Sequence, residues 1–246
     1  MVKNLTLRQF SDDQFILDKV FYHNCYRLKK LPKSDEVRVI IDIGAHIGIF
    51  TLVGLYGGYN KFYCFEPFIE NYKVLLKNLE PYDFYSVFNS EVFNTYQLAC
   101  CRKDWGFNNL IINYPETNKL LNFSNIETEN KSKNNCIVPC DNLDNILKNY
   151  LSNSIKVKLL KINIGEWEDN ILLNCNILSE KVDNICGEIF IDEGFNISEF
   201  QEKMKQKGYL KSFVIKNDLQ ENNSFLFWFS KTDISECFDL EFIKKT

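Results

Sequence analysis

The stretch Val39-Ile40-Ile41-Asp42-Ile43-Gly44-Ala45-His46-Ile47-Gly48-Ile49-Phe50-Thr51 decides the fold of this chain. Its short β-branched, apolar start suits a buried strand. The strand ends at an acid, Asp42, and passes into a turn carrying Gly44 and Gly48. An apolar, helix-like segment follows. Strand, glycine turn and helix open the doubly wound folds, whose ligands sit at the carboxyl ends of the strands. Glycine suits such a turn because it accepts positive φ at no steric cost and lets a ligand approach the backbone.

A dinucleotide fingerprint reads G-x-G-x-x-G, and its second glycine lets pyrophosphate reach the backbone. His46 stands at that position here, which argues against NAD or FAD. The observed D-x-G-x-x-x-G instead resembles the first motif of class I S-adenosylmethionine (SAM) methyltransferases. SAM carries no phosphate, so no phosphate cradle is required. Further along, Tyr63-Cys64-Phe65-Glu66-Pro67 reads as a second strand ending in an acid. Glu66 follows Gly48 by roughly the ~20 residues expected of a ribose-binding carboxylate. Such a group accepts hydrogen bonds from both ribose hydroxyls. Pro67 suits the first turn of the next helix, where its missing N–H would be unpaired anyway. His46 has two readings: a polar turn residue supporting the cofactor loop, or a general base near the methyl group.

At 246 residues the chain has the size of one domain. The expected layout is a helical lead-in over 1–37, then one Rossmann-like domain over 38–246 with a polar loop insertion at about 107–139. The net charge of −4 supplies no global field for nucleic acid. The cluster Arg27, Lys29, Lys30 and Lys33 reads as a solvated face. The polar N-terminus lacks the apolar core of a signal peptide. The window 39–59 holds Asp42, His46 and five glycines, which rejects a membrane span. Nine scattered cysteines, an odd count, imply reduced thiols and a cytoplasmic location. Cys136 and Cys140 lack the paired second cluster of a zinc site. With His23 and His46 the only histidines, no metal is expected.

Taken in order, 1–10 reads as a loose arm, and Ser11-Asp12-Asp13 caps a helix running to about Tyr26. After the glycine turn a helix from Ile49 stops at Gly57-Gly58. Phe68, Tyr72, Leu75, Leu76 and Leu79 recur at helical spacing and cover the sheet. Residues 94–101 read as a third strand. Two β-like pieces, 110–112 and 136–138, flank a polar segment, 122–135, expected to be a mobile lid over the acceptor. Asp141 caps a helix, 157–163 form the fourth strand, and one helix carries Trp167, Ile171, Cys175 and Leu178. Residues 185–191 form the fifth strand, and 197–207 a helix. Residues 210–215 and 225–229 close the sheet as an antiparallel pair. The alternation implies one α/β fold with a doubly wound, mostly parallel sheet.

The motifs together resemble the FkbM-type SAM-dependent methyltransferases over roughly residues 10–230. The family's D-x-G-A-N/H-x-G stands as Asp42-Ile43-Gly44-Ala45-His46-Ile47-Gly48, with its threonine as Thr51. Its Phe-Glu-Pro is Phe65-Glu66-Pro67, its Leu-Asp is Leu143-Asp144, and its alanine after the third strand is Ala99. The resemblance implies a SAM cofactor held by Asp42, Gly44, Ala45, His46, Gly48, Thr51, Glu66, Pro67 and Ala99. It also implies O-methylation of a hydroxyl on a sugar, sugar nucleotide or glycan precursor. One motif departs: K-x-D-x-E-G-x-E reads Lys161-Ile162-Asn163-Ile164-Gly165-Glu166-Trp167-Glu168. Asparagine orients a group but takes no proton. The general base is therefore expected to be Glu166 or Glu168, with Asn163 and Lys161 orienting and His46 and Glu188 next in line. Two other readings stand beside this one: a SAM-binding module without turnover, motivated by the altered 163–166 segment, and a nucleic-acid methyltransferase. Against the last count the acidic balance and the missing Asp/Asn-Pro-Pro-aromatic motif.

Overall fold

A computed structural model describes residues 5–32, 34, 36–85, 92–106, 108–113, 135–190, 195–217 and 224–239. The expected lid over 122–135 lies, but for its last residue, outside the described residues. The strands are β1 (Val39–Ile43), β2 (Lys61–Phe65), β3 (Phe93–Tyr96), β4 (Ala99–Cys101), β5 (Asn109–Asn113), β6 (Asn135–Asn142), β7 (Val157–Ile162), β8 (Val182–Phe190), β9 (Lys211–Lys216) and β10 (Ser224–Ser230). The α-helices are α1 (Asp13–Leu17), α2 (Ile49–Tyr56), α3 (Ile69–Leu79), α4 (Leu143–Asn149), α5 (Glu168–Asn174), α6 (Leu178–Lys181) and α7 (Ile197–Gln206).

Seven strands form one sheet in the order β3-β2-β1-β7-β8-β10-β9. Neighbours from β3 to β8 run parallel, while β10 is antiparallel to both β8 and β9. This is the mostly parallel, doubly wound sheet closed by an antiparallel pair that the sequence implies. Every residue of β1 is buried, as expected of a central parallel strand covered on both faces. One core, with Phe50, Phe62 and Trp228, fills one face. The other, with Phe65, Ile146, Leu160, Phe200 and Phe227, fills the opposite face. Strand order reverses between β1 and β7, and the carboxyl ends there are where such folds bind ligands.

Four local expectations need correction. The first helix does not reach Tyr26: after α1 the chain widens into a π-helix, Asp18–Tyr22. Tertiary bonds claim the backbone beyond it, since Trp228 Nε1 donates to the Tyr26 carbonyl at 2.8 Å. The single third strand over 94–101 is two strands in two sheets. β3 stays in the main sheet, whereas β4 joins a three-stranded sheet, β4-β6-β5, over its own small core of Leu110, Ile112, Val138 and Cys140. Asn142, not Asp141, caps α4, accepting from the Asn145 amide at 3.1 Å. The helix after β7 is broken into α5 and α6. The nine cysteines are all free thiols. Among the described residues no helix is long and apolar enough to cross a membrane.

Candidate cofactor and acceptor site

The glycine turn after β1 is built by backbone and braced by charge. The Gly44 and Ala45 amides donate to the Phe65 carbonyl at 2.9 and 3.0 Å, and Asn163 N–H donates to the Ile43 carbonyl at 3.1 Å. The ends of β1, β2 and β7 are thereby joined. Gly44, His46 and Gly48 all have positive φ, at 73°, 52° and 87°. A methyl group at Gly44 would overlap the Asn163 carbonyl, so only glycine fits. Asp42, fully buried, accepts from Thr51 Oγ1 at 2.8 Å and pairs with Lys161 Nζ at 3.0 Å. Lys161 also donates to the Gly44 carbonyl at 2.7 Å. Asp42, Thr51 and Lys161 thus hold the turn from beneath. Ala45 is buried within the turn's own core, and the Pro67 carbonyl accepts from Gln97 Nε2 at 3.4 Å. Ala99, in β4, packs instead into the small core of the second sheet.

Glu66 closes the turn against β2. Its carboxylate accepts from the His46 amide at 2.8 Å, the Phe68 amide at 3.0 Å and Asn71 Nδ2 at 3.2 Å. Burial raises its pKa, and these three donors pull the other way. Two carboxylate oxygens offer about four acceptor positions, so the group retains capacity for a ligand hydroxyl. The residues therefore suit a ribose at the β1–β2 crevice.

His46 points toward the N-terminal arm. Its Nε2 lies 3.8 Å from Asp13 Oδ1, and Asp13 is itself gripped by Arg8 through Nη2 at 2.7 Å and Nε at 3.0 Å. Burial pushes the imidazole down to about 4 against the opposing pull of Asp13. The ring is then neutral at pH 7, and a base that weak is poorly matched to neutral proton transfer.

Glu188 sits fully buried near the end of β8 at the centre of a polar cluster. It pairs with Lys19 Nζ at 2.7 Å and accepts from Ser224 Oγ at 2.8 Å, Asn163 Nδ2 at 3.0 Å and Asn217 Nδ2. Asn163 Nδ2 also donates to the Tyr26 hydroxyl at 2.9 Å. This accounts for the altered motif. An aspartate at 163 would set a second carboxylate against Glu188 and donate nothing, whereas the amide donates to both neighbours. Glu168 turns inward: its Oε1 accepts from the Ile164 and Gly165 amides at 2.8 and 2.9 Å, and its Oε2 is buried without a hydrogen-bond partner. Burial pushes its carboxyl up to about 7. Glu166 is half-buried in the same loop. Sequence reasoning missed Lys19, Tyr26, Asn217, Ser224 and the Trp105–Arg102–Trp167 cluster. Lys19, Tyr26, Asn217 and Ser224 belong to no spaced motif, and Trp167, though it lies in the 161–168 motif, meets Arg102 and Trp105 only through the tertiary fold. Among the described residues no cluster of three or more His, Cys, Asp or Glu is arranged for a metal.

No protein-family model matches the chain. No curated protein matches it either. Solved structures do share the fold. A human methyltransferase 10 domain-containing protein is 13% identical, with 88% of this chain and 82% of that one covered and a TM-score of 0.49. An rRNA methylase from Streptococcus thermophilus is 11% identical, with coverages of 84% and 90% and a TM-score of 0.47. TrmK from M. capricolum, in complex with S-adenosylhomocysteine (SAH), is 14% identical, with coverages of 87% and 69% and a TM-score of 0.45. The likeness is one of fold, at an identity too low to carry activity across. The expectation of a sugar or glycan acceptor, with nucleic acid excluded, is corrected against these structures, whose names include an rRNA methylase. That expectation leaned on the net charge of −4, but a global charge does not describe a local surface.

Proposed function

We propose that this chain is a SAM-dependent methyltransferase whose cofactor lies across the carboxyl ends of β1 and β2. The observation that carries the reading is the bond from the His46 amide to Glu66, which sets an acid against a left-handed glycine turn at the switch point of the sheet. Gly44, His46 and Gly48 shape the floor, and Glu66 receives the ribose hydroxyls. Bound there, SAM supplies a methyl group activated by its sulfonium. The protein's own contribution is chiefly placement of the acceptor, which is worth much of the barrier. Asn163 and Lys161 hold the loop over which the acceptor enters. Glu168 is committed to the Ile164 and Gly165 amides, and Glu166, half-buried in the same loop, is the acid assigned here to receive a proton. The FkbM-type likeness extends, in this reading, to the cofactor half alone. Nine free thiols support a reducing, cytoplasmic setting.

Calorimetry with SAH tests the reading. The wild type is expected to bind, and Glu66→Ala to lose on the order of 1.5–3 kcal/mol, the worth of a charged hydrogen bond. Equal binding by the variant would remove Glu66 from the site.

A further inference from the structure

Trp167 is the one large aromatic that the acceptor loop holds outward. It is 38% exposed and belongs to neither main core. Its backbone is left-handed, with φ 74°, a conformation that strains a bulky residue and persists only when the surroundings enforce it. Glu168 enforces it from below, by fixing the Ile164 and Gly165 amides. Beside it stands Trp105, in the turn after β4, with ring centroids 6.0 Å apart at 74°. The Arg102 guanidinium lies 4.8 Å from the Trp167 ring and 5.7 Å from the Trp105 ring. Arg102 is steadied by Asp104 at 2.6 and 3.0 Å.

We infer that Trp167, Trp105 and Arg102 form a stacking platform for an unpaired base of a nucleic-acid acceptor. This rests on the methyltransferase reading and deepens it by naming the acceptor class. Three observations converge. The platform stands on the 163–168 loop, whose first residue is bonded to the end of β1 beneath the glycine turn. Two indoles and a guanidinium at one place provide flat faces and a cation, the pairing that stacks bases and contacts them or a phosphate. Strained backbone is spent on exposing an indole that no core requires. A base within a duplex offers its edges, not its faces, so the platform selects single-stranded or extruded bases.

The test uses the full chain and a short fluorescent oligoadenylate, followed by anisotropy and by indole quenching, with SAH calorimetry and thermal melting on every variant. The wild type is expected to bind with a shallow salt dependence, corresponding to roughly one or two phosphates. Trp167→Leu, which keeps apolar bulk but no π face, is expected to lose ~10–100-fold in oligonucleotide affinity while SAH binding and melting hold. Trp167→Phe is expected to recover most of the loss. No oligonucleotide binding by the wild type, or unchanged binding by both Trp167→Leu and Trp105→Leu, would overturn the platform. Loss of SAH binding with oligonucleotide binding intact would instead break the cofactor reading.

Discussion

The glycine turn after β1 and the polar cluster around Glu188 are built differently. The turn after β1 is closed in part by near neighbours, His46 with Glu66 20 residues apart and Asp42 with Thr51 only nine, beside the reach of Lys161 to the Gly44 carbonyl across 117. The cluster around Glu188 also draws on distant ones: Lys19 meets Glu188 across 169 residues, and Asn163 meets Tyr26 across 137. Local closure leaves a motif; distant closure leaves single residues. Each region carries a buried ion pair, Lys161 with Asp42 under the turn and Lys19 with Glu188 in the cluster. A buried pair is costly to break even where it adds little net stability.

The comparison breaks most sharply at Lys19. Lys19→Met leaves Glu188 charged and buried and is expected to cost about 3–5 kcal/mol in urea unfolding. Adding Glu188→Gln should restore a large part of that. If Lys19→Met unfolds like the wild type, the cluster around Glu188 is not held by this pair.

Gly44→Ala strikes the other side. The added methyl meets the Asn163 carbonyl at positive φ, so a loss on the order of 4 kcal/mol is expected, with loss of SAH binding. A near-neutral result would show that the turn relaxes freely.

Glu168 gives a pH signature. Its carboxyl titrates at about 7 in the folded chain against an ordinary 4.5, so the folded state holds its proton more tightly. The contribution to stability is complete below about pH 4.5 and is lost as pH rises through 7, about 3 kcal/mol at most. His46 works oppositely: its lowered value costs stability as pH falls from 6.5 toward 4. The informative quantity is therefore the wild type minus Glu168→Gln, which keeps the acceptor for the two amides. That difference should grow unfavourable to the wild type between pH 4.5 and 7. A flat difference would mean that Glu168 is ionised and compensated.

The smallest expected change in stability is at Glu166. Glu166→Gln should fold and bind SAH like the wild type. Its kcat on an established acceptor should fall by ~10²–10⁴-fold if the residue takes the proton. Unchanged kcat moves proton transfer elsewhere.

The fold was legible because hydrophobic period and glycine position carry it. β1, α2, β2 and α3 could be placed from residues 39–79 alone, and β7 to β10 followed from their apolar runs. The split of 94–101 into β3 and β4 was not legible, since nothing local says that Ala99 will pair with Cys140 rather than continue beside β2. At the site, Glu66 could be found by its spacing. The reason for Asn163 could not, because it lies in Glu188 and Tyr26, residues that the sequence places far away. Glu168 could be named as an acid of interest, but not as one turned inward to brace its own loop. The Trp167 platform depends on a left-handed residue whose exposure only the folded chain reveals.

The central claim is that the crevice at the ends of β1 and β2 takes SAM and not a dinucleotide. Titration calorimetry of the wild-type chain with SAM and, separately, with NAD tests it most directly. The account predicts saturable binding of about one SAM per chain and no heat from NAD, because His46 stands where pyrophosphate would need glycine. Binding of NAD, or no binding of SAM, would contradict it.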